Sequence, residues 1–127
     1  MVDVNRLGQS VTAPLDVDAL VERCMGSLSF AEKILSRFES RCFDDLQALE
    51  QCQAQHDLAE IGNLAHRLKG SAACVSAPGI ADTSEELEDL VQAERYEEIP
   101  ACLERLRQEW QRFSQFSASL SRPFADG

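Results

Sequence analysis

Residues 57–75 read DLAEIGNLAHRLKGSAACV, and this stretch decides the fold class. Leu58, Ile61, Ala65, Leu68, Ala72 and Val75 recur at spacings of 3-4-3-4-3, the period of an amphipathic helix. Asp57 stands before the first apolar residue and Glu60 follows three positions later, as at a capped helix start. The same period extends outward in both directions. Upstream, Ser29-Phe30-Ala31-Glu32 predicts a capping box, followed by a stripe of Ile34, Leu35, Phe38, Cys42, Leu46, Leu49 and Cys52. Before that, Asp16 caps a short helix over Val17–Met25, which Gly26 ends. Downstream, Pro78-Gly79 breaks the chain, and a fourth helix carries Ile80, Ser84, Leu87 and Val91. A fifth begins between Tyr96 and Pro100, with Ile99, Leu103, Leu106, Trp110, Phe113, Ser117 and Leu120 as its stripe.

No segment alternates with the period of a strand. Long helices with short connections make antiparallel neighbours. The prediction is an all-α, up-down antiparallel four-helix bundle with a short additional N-terminal helix. Residues 1–14 are expected to be a flexible leader, 15–121 the bundle and 122–127 a short tail.

The chain has 127 residues, enough for one domain with a single core. Twelve Lys and Arg stand against 22 Asp and Glu, a formal charge of −10. That argues against nucleic acid and anionic membrane surfaces as partners. The N-terminus lacks the basic and apolar regions of a secretory signal, so a cytoplasmic setting is expected. The five cysteines, Cys24, Cys42, Cys52, Cys74 and Cys102, are odd in number and lack a Cys-x-x-Cys pair. They read as core residues, not as a disulfide framework.

His66 does not fit a scaffold role. It lies roughly 130° from the centre of its helix's apolar stripe and should face water. One turn to either side are Gly62 and Gly70, with Ala73 at i+7 and Lys69 at i+3. Each helix-interior glycine costs about 1 kcal/mol relative to alanine. Two of them around one exposed histidine clear a surface that a partner can reach. Lys69 can donate to an anion held on the ring. An imidazole titrating near about 6.5 is a suitable phosphoryl acceptor at neutral pH. The surroundings of His66 are also non-acidic: residues 58–80 carry +1, whereas 82–98 carry −7.

Ala65-His66-Arg67-Leu68-Lys69-Gly70-Ser71-Ala72 resembles the phosphoacceptor motif of histidine-containing phosphotransfer (HPt) domains, His-x-Leu-Lys-Gly-Ser/Ala-Ser/Ala. Phe38, Ile80 and Leu87-Glu88 also fall where that family has matching residues. The resemblance implies a phosphorelay carrier that exchanges a phosphoryl group between His66 and an aspartate of a receiver domain. Such receivers belong to response regulators or hybrid sensor histidine kinases. It further implies Lys69 as phosphoryl-stabilising, no cofactor in this chain, and Mg²⁺ on the receiver. The chain has no Gly-rich nucleotide loop, so it is not expected to act as an ATP-dependent kinase. Gln92, 26 residues after His66, is a further phosphoryl-stabilising candidate from the neighbouring helix. Gly62, Asn63, Arg67, Gly70 and Ala73 form the expected docking face of a monomer. Ser76 stands where the family often has glycine, which bears on how the helix ends.

Three other readings compete. A metal-binding bundle would draw on Cys52, His56 and His66, but bundle metal ligands point inward from several helices. A kinase dimerisation helix would place an acid after the histidine, where Arg67 stands. An adaptor without phosphotransfer would have no need of His66, Lys69 and Gly70 together.

Overall fold

The computed structural model describes residues 13–126, with side-chain surroundings through Leu120. Its helices are α1 (Val17–Arg23), α2 (Leu28–Ala54), α3 (Leu58–Cys74), α4 (Pro78–Gln92) and α5 (Ile99–Asp126), with a 3-10 turn over Tyr96–Glu98. No strand occurs among the described residues. Helices α2 to α5 form a ring: α2 packs on α3 and α5, and α4 packs on α3 and α5. The chain is the all-α bundle that the periodicity predicts. The first twelve residues of the expected leader lie outside the described residues. The helical backbone of α5 runs to Asp126, through the stretch expected to be a tail.

The apolar stripes meet in one core. Leu35, Leu49, Ile61, Leu68, Ile80, Leu87, Leu106 and Phe113 are buried. Phe38 meets Phe113 edge to face at a centroid distance of 5.2 Å, joining α2 to α5. Helix α1 lies beside the α3–α4 turn, where the Asp16 N–H donates to the Ser76 carbonyl at 2.8 Å.

Two helix caps are as read and one is not. Asp16 caps α1 and Asp57 caps α3, each accepting from the N–H three residues on. For α2 the cap is Ser27, whose Oγ accepts from the Phe30 N–H at 3.2 Å. Ser29 is inside the helix, so the Ser29–Glu32 box does not form. The reason is local. Met25 and Gly26 both take positive φ and turn the chain out of α1, so Ser27 is already extended and ready to cap.

The α3–α4 break also differs. Pro78 and Gly79 lie in the first turn of α4, where proline is tolerated. The turn is made earlier, by Ser76 at φ +62°, with the Ala77 N–H donating to the Ala72 carbonyl at 2.9 Å. His56 (φ +58°) ends α2 in the same way. A β-carbon in this conformation costs roughly 1–2 kcal/mol, part of which a glycine loses again through unfolded-chain entropy. Ser76→Gly should therefore raise stability by up to about 1 kcal/mol. A urea-denaturation midpoint at or below wild type would show that the Ser76 side chain contributes more than its strain costs.

No helix among the described residues is long and apolar enough to cross a membrane.

Candidate functional site

His66 projects from the middle of α3, and its side chain is 67% exposed. Its surroundings differ from the bare surface that helix spacing suggests. Glu88 reaches across from α4, with Oε2 2.8 Å from His66 Nδ1. The other oxygen, Oε1, lies 3.4 Å from Lys69 Nζ. The Glu88 side chain is only 14% exposed, so its two oxygens are committed to the ring and the ammonium. An ionised carboxylate can only accept, so toward it Nδ1–H of the neutral ring is the hydrogen-bond donor, which leaves the lone pair on Nε2, the other ring nitrogen.

Sequence reasoning missed this role for Glu88. It counted Glu88 within the acidic run of 82–98 and as part of a family-like pair. The available signal was Leu87. That residue is fully buried on α4, and the next position on a helix turns about 100°, to the rim of the α3–α4 groove.

A depression of about 410 Å³ opens beside the ring, lined by Gly62, Asn63, His66, Glu88, Val91 and Gln92 among others. Gln92 thus shares a concavity with His66, one helical turn beyond Glu88. Asn63 is exposed, and its Nδ2 donates to Glu60 Oε1 at 3.3 Å.

The two glycines separate. A β-carbon on Gly70 would meet nothing within 4 Å, so this side of His66 is open. A β-carbon on Gly62 would come within 3.2 Å of Val91 Cγ1. Gly62 therefore lets α3 and α4 approach each other, and helix packing accounts for it without any docking partner.

Arg67 and Lys69 diverge from His66. Lys69 turns to α4. Arg67 turns to α2, where Nη2 donates to Asp45 Oδ1 at 3.4 Å. Asp45 is 7% exposed. Burial pushes its carboxyl above the usual range, Arg67 and Arg41 oppose that, and Asp44 adds to it. Ala73 is exposed and lines a groove with Ala19 and Arg23 of α1.

Cys24, Cys42, Cys52 and Cys102 are buried as expected, but Cys74 is exposed. Cys74 follows Ala73 on the outward side of the last turn of α3, where the apolar stripe passes to Ala72 and Val75. Burial, with Glu86 nearby, pushes the Cys102 thiol up to about 11. Cys42 and Cys52 are raised for the same leading reason. Among the described residues, no three His, Cys, Asp or Glu side chains converge to hold a metal ion. His56 belongs to the α2–α3 turn and Cys52 to the core.

Compared with known proteins, residues 33–116 match the sequence model of one family, the Hpt domain. The matched span runs from α2 into α5 and contains His66, Lys69, Glu88 and Gln92. No curated protein and no solved structure matches the chain.

Proposed function

The chain belongs to the Hpt domain family, and on that premise we propose that it carries a phosphoryl group on His66 Nε2, exchanging it with an aspartate of a receiver domain. The observation that carries this reading is the exposed imidazole with Nδ1 held by Glu88.

The lone pair of Nε2 attacks the phosphorus of the receiver's aspartyl phosphate. An N–P bond forms as the acyl O–P bond breaks, and the electron pair leaves on the aspartate carboxylate. The ring becomes a cation with its proton still on Nδ1, and the Glu88 carboxylate stabilises that charge. In the reverse direction the same contact keeps the ring protonated, so the leaving group is a neutral imidazole. One carboxylate thus assists transfer both ways.

Lys69 lies between Glu88 and the position the phosphoryl oxygens would take. The arriving dianion competes with Glu88 for its ammonium, which supplies charge-assisted hydrogen bonds. Gln92 offers an amide donor from the depression. Any Mg²⁺ in the reaction is placed on the receiver, where it neutralises charge on the transferring group. The chain acts as a monomeric carrier in the cytoplasm and leaves ATP-dependent phosphorylation to another protein.

The test is incubation with a panel of receiver domains charged by acetyl phosphate and Mg²⁺. At least one should deposit an acid-labile, alkali-stable phosphate on this chain. Labelling by none of them would contradict the proposal.

Glu88→Gln isolates the positioning role. Glutamine fills the same space but can face Nδ1 with either its oxygen or its NH₂, so the tautomer is no longer dictated. Acceptance should slow about 5-fold, equivalent to about 1 kcal/mol, the net worth of one hydrogen bond. An unchanged rate would make Glu88 merely an ion-pair partner of Lys69.

A further inference from the structure

The cations of this acidic chain are unevenly partnered. Arg95, Arg105, Arg107 and Arg112, on the α4–α5 side, each pair with a carboxylate of the chain. Lys33, Arg37 and Arg41 on α2 are exposed, and none forms an ion pair among the described residues. They stand at i, i+4 and i+8, a row on the solvent side of the helix that turns about 40° from each residue to the next. Like charges at this spacing repel one another and weaken a helix. Two acids close by in sequence have partners on other helices: Glu39 accepts from Ser114 of α5, and Asp45, on which Arg41 also acts at longer range, accepts from Arg67.

The edge is also placed. One turn beyond Arg41 is Asp45, which faces Arg67, the residue after His66. Helices α2 and α3 run antiparallel, so Arg41 stands beside the part of α3 just past Arg67, and Arg37 and Lys33 follow further along α2, each turned more toward solvent. Gly70, Ala73 and Cys74 are exposed along that part of α3. His66 therefore stands between a cationic edge on α2 and an anionic one on α4, where Asp82, Glu85, Glu88 and Asp89 lie.

We propose that Lys33, Arg37 and Arg41 form the electrostatic edge of the docking face and receive the acidic rim around the receiver's phosphorylated aspartate. This rests on the phosphotransfer reading. The partner's chemistry supplies the complementarity. A protein that phosphorylates an aspartate and holds Mg²⁺ must gather carboxylates around that position, because Mg²⁺ takes oxygen ligands. Seated over His66 and Gly70, such a rim meets α2 more favourably than α4. The polarity fixes which way round the receiver docks, and it raises the association rate.

The experiment compares wild type with the triple variant Lys33→Gln, Arg37→Gln, Arg41→Gln. Glutamine keeps helix propensity, and all three sites are exposed, so the fold is retained. Transfer from the acetyl-phosphate-charged receiver panel is timed at about 50 mM and about 200 mM salt, where screening differs strongly. Direct labelling of His66 by phosphoramidate, a small donor, is measured alongside. In wild type, transfer should slow as salt rises. In the variant it should be about 5-fold slower at low salt and nearly independent of salt, with small-donor labelling unchanged. Equal transfer rates and equal salt response in the two proteins would overturn the edge while leaving phosphotransfer standing. Wild-type labelling by phosphoramidate but by no receiver would overturn both. Loss of transfer from the variant together with binding of wild type to phosphatidylserine vesicles, released by the same substitutions, would overturn the assignment in favour of a lipid surface.

Discussion

His66→Gln should abolish phosphate acceptance from every receiver that labels wild type, with stability within about 0.5 kcal/mol of wild type. The fold should not notice the change, because the His66 side chain is mostly in solvent. A glutamine amide can still donate to Glu88 but has no nucleophilic nitrogen. The readout is the alkali-stable label, since an aspartyl phosphate left on a contaminating receiver is lost in base whereas an N–P bond survives. Label that persists in the variant would move the acceptor elsewhere. His56, exposed in the α2–α3 turn, would be next to test.

Gly70→Gln should leave the acceptor intact and block the partner. The glycine lies one turn from His66 on the same face, with open space where its β-carbon would be. Glutamine is a better helix former, so the melting temperature should rise, by an amount corresponding to up to about 1 kcal/mol. A receiver seated over His66 would meet the new side chain. Transfer should fall at least ~10-fold, or 1.4 kcal/mol of transition-state stabilisation, while phosphoramidate labelling stays near wild type. Equal losses with both donors would point to damage at His66 itself. No loss with either would show that the glycine gives no clearance.

The contrast between Gly70 and Gly62 shows where sequence reasoning reaches and where it stops. Both glycines flank His66 at one helical turn, and spacing alone treats them alike. Only the position of α4 reveals that Gly62 accommodates Val91 while Gly70 faces open space. Glu88 was hidden for the same reason. Its contact with His66 spans 22 residues, and no periodicity within one helix encodes a pairing between two. What local physics governs was legible. The stripe from Leu58 to Val75 placed α3, the Asp57 cap set its start, and His66 fell on the solvent side. The α2 start was misread because Ser27 and Ser29 are both good caps, and the choice rests on the positive φ of Met25 and Gly26. The α3–α4 break was assigned to Pro78-Gly79, the stronger turn signal, although Ser76 makes the turn at some cost in strain.

On the proposed mechanism His66 accepts phosphate through Nε2 because Glu88 holds the proton on Nδ1. Nitrogen-15 and phosphorus-31 NMR of the histidine-labelled chain tests it most directly, recorded after transfer from a charged receiver. One phosphohistidine is expected, with phosphorus coupled to Nε2 of His66 and the proton on Nδ1. Phosphorus coupled to Nδ1, or a spectrum with both histidines unmodified while the chain carries phosphate, would contradict it.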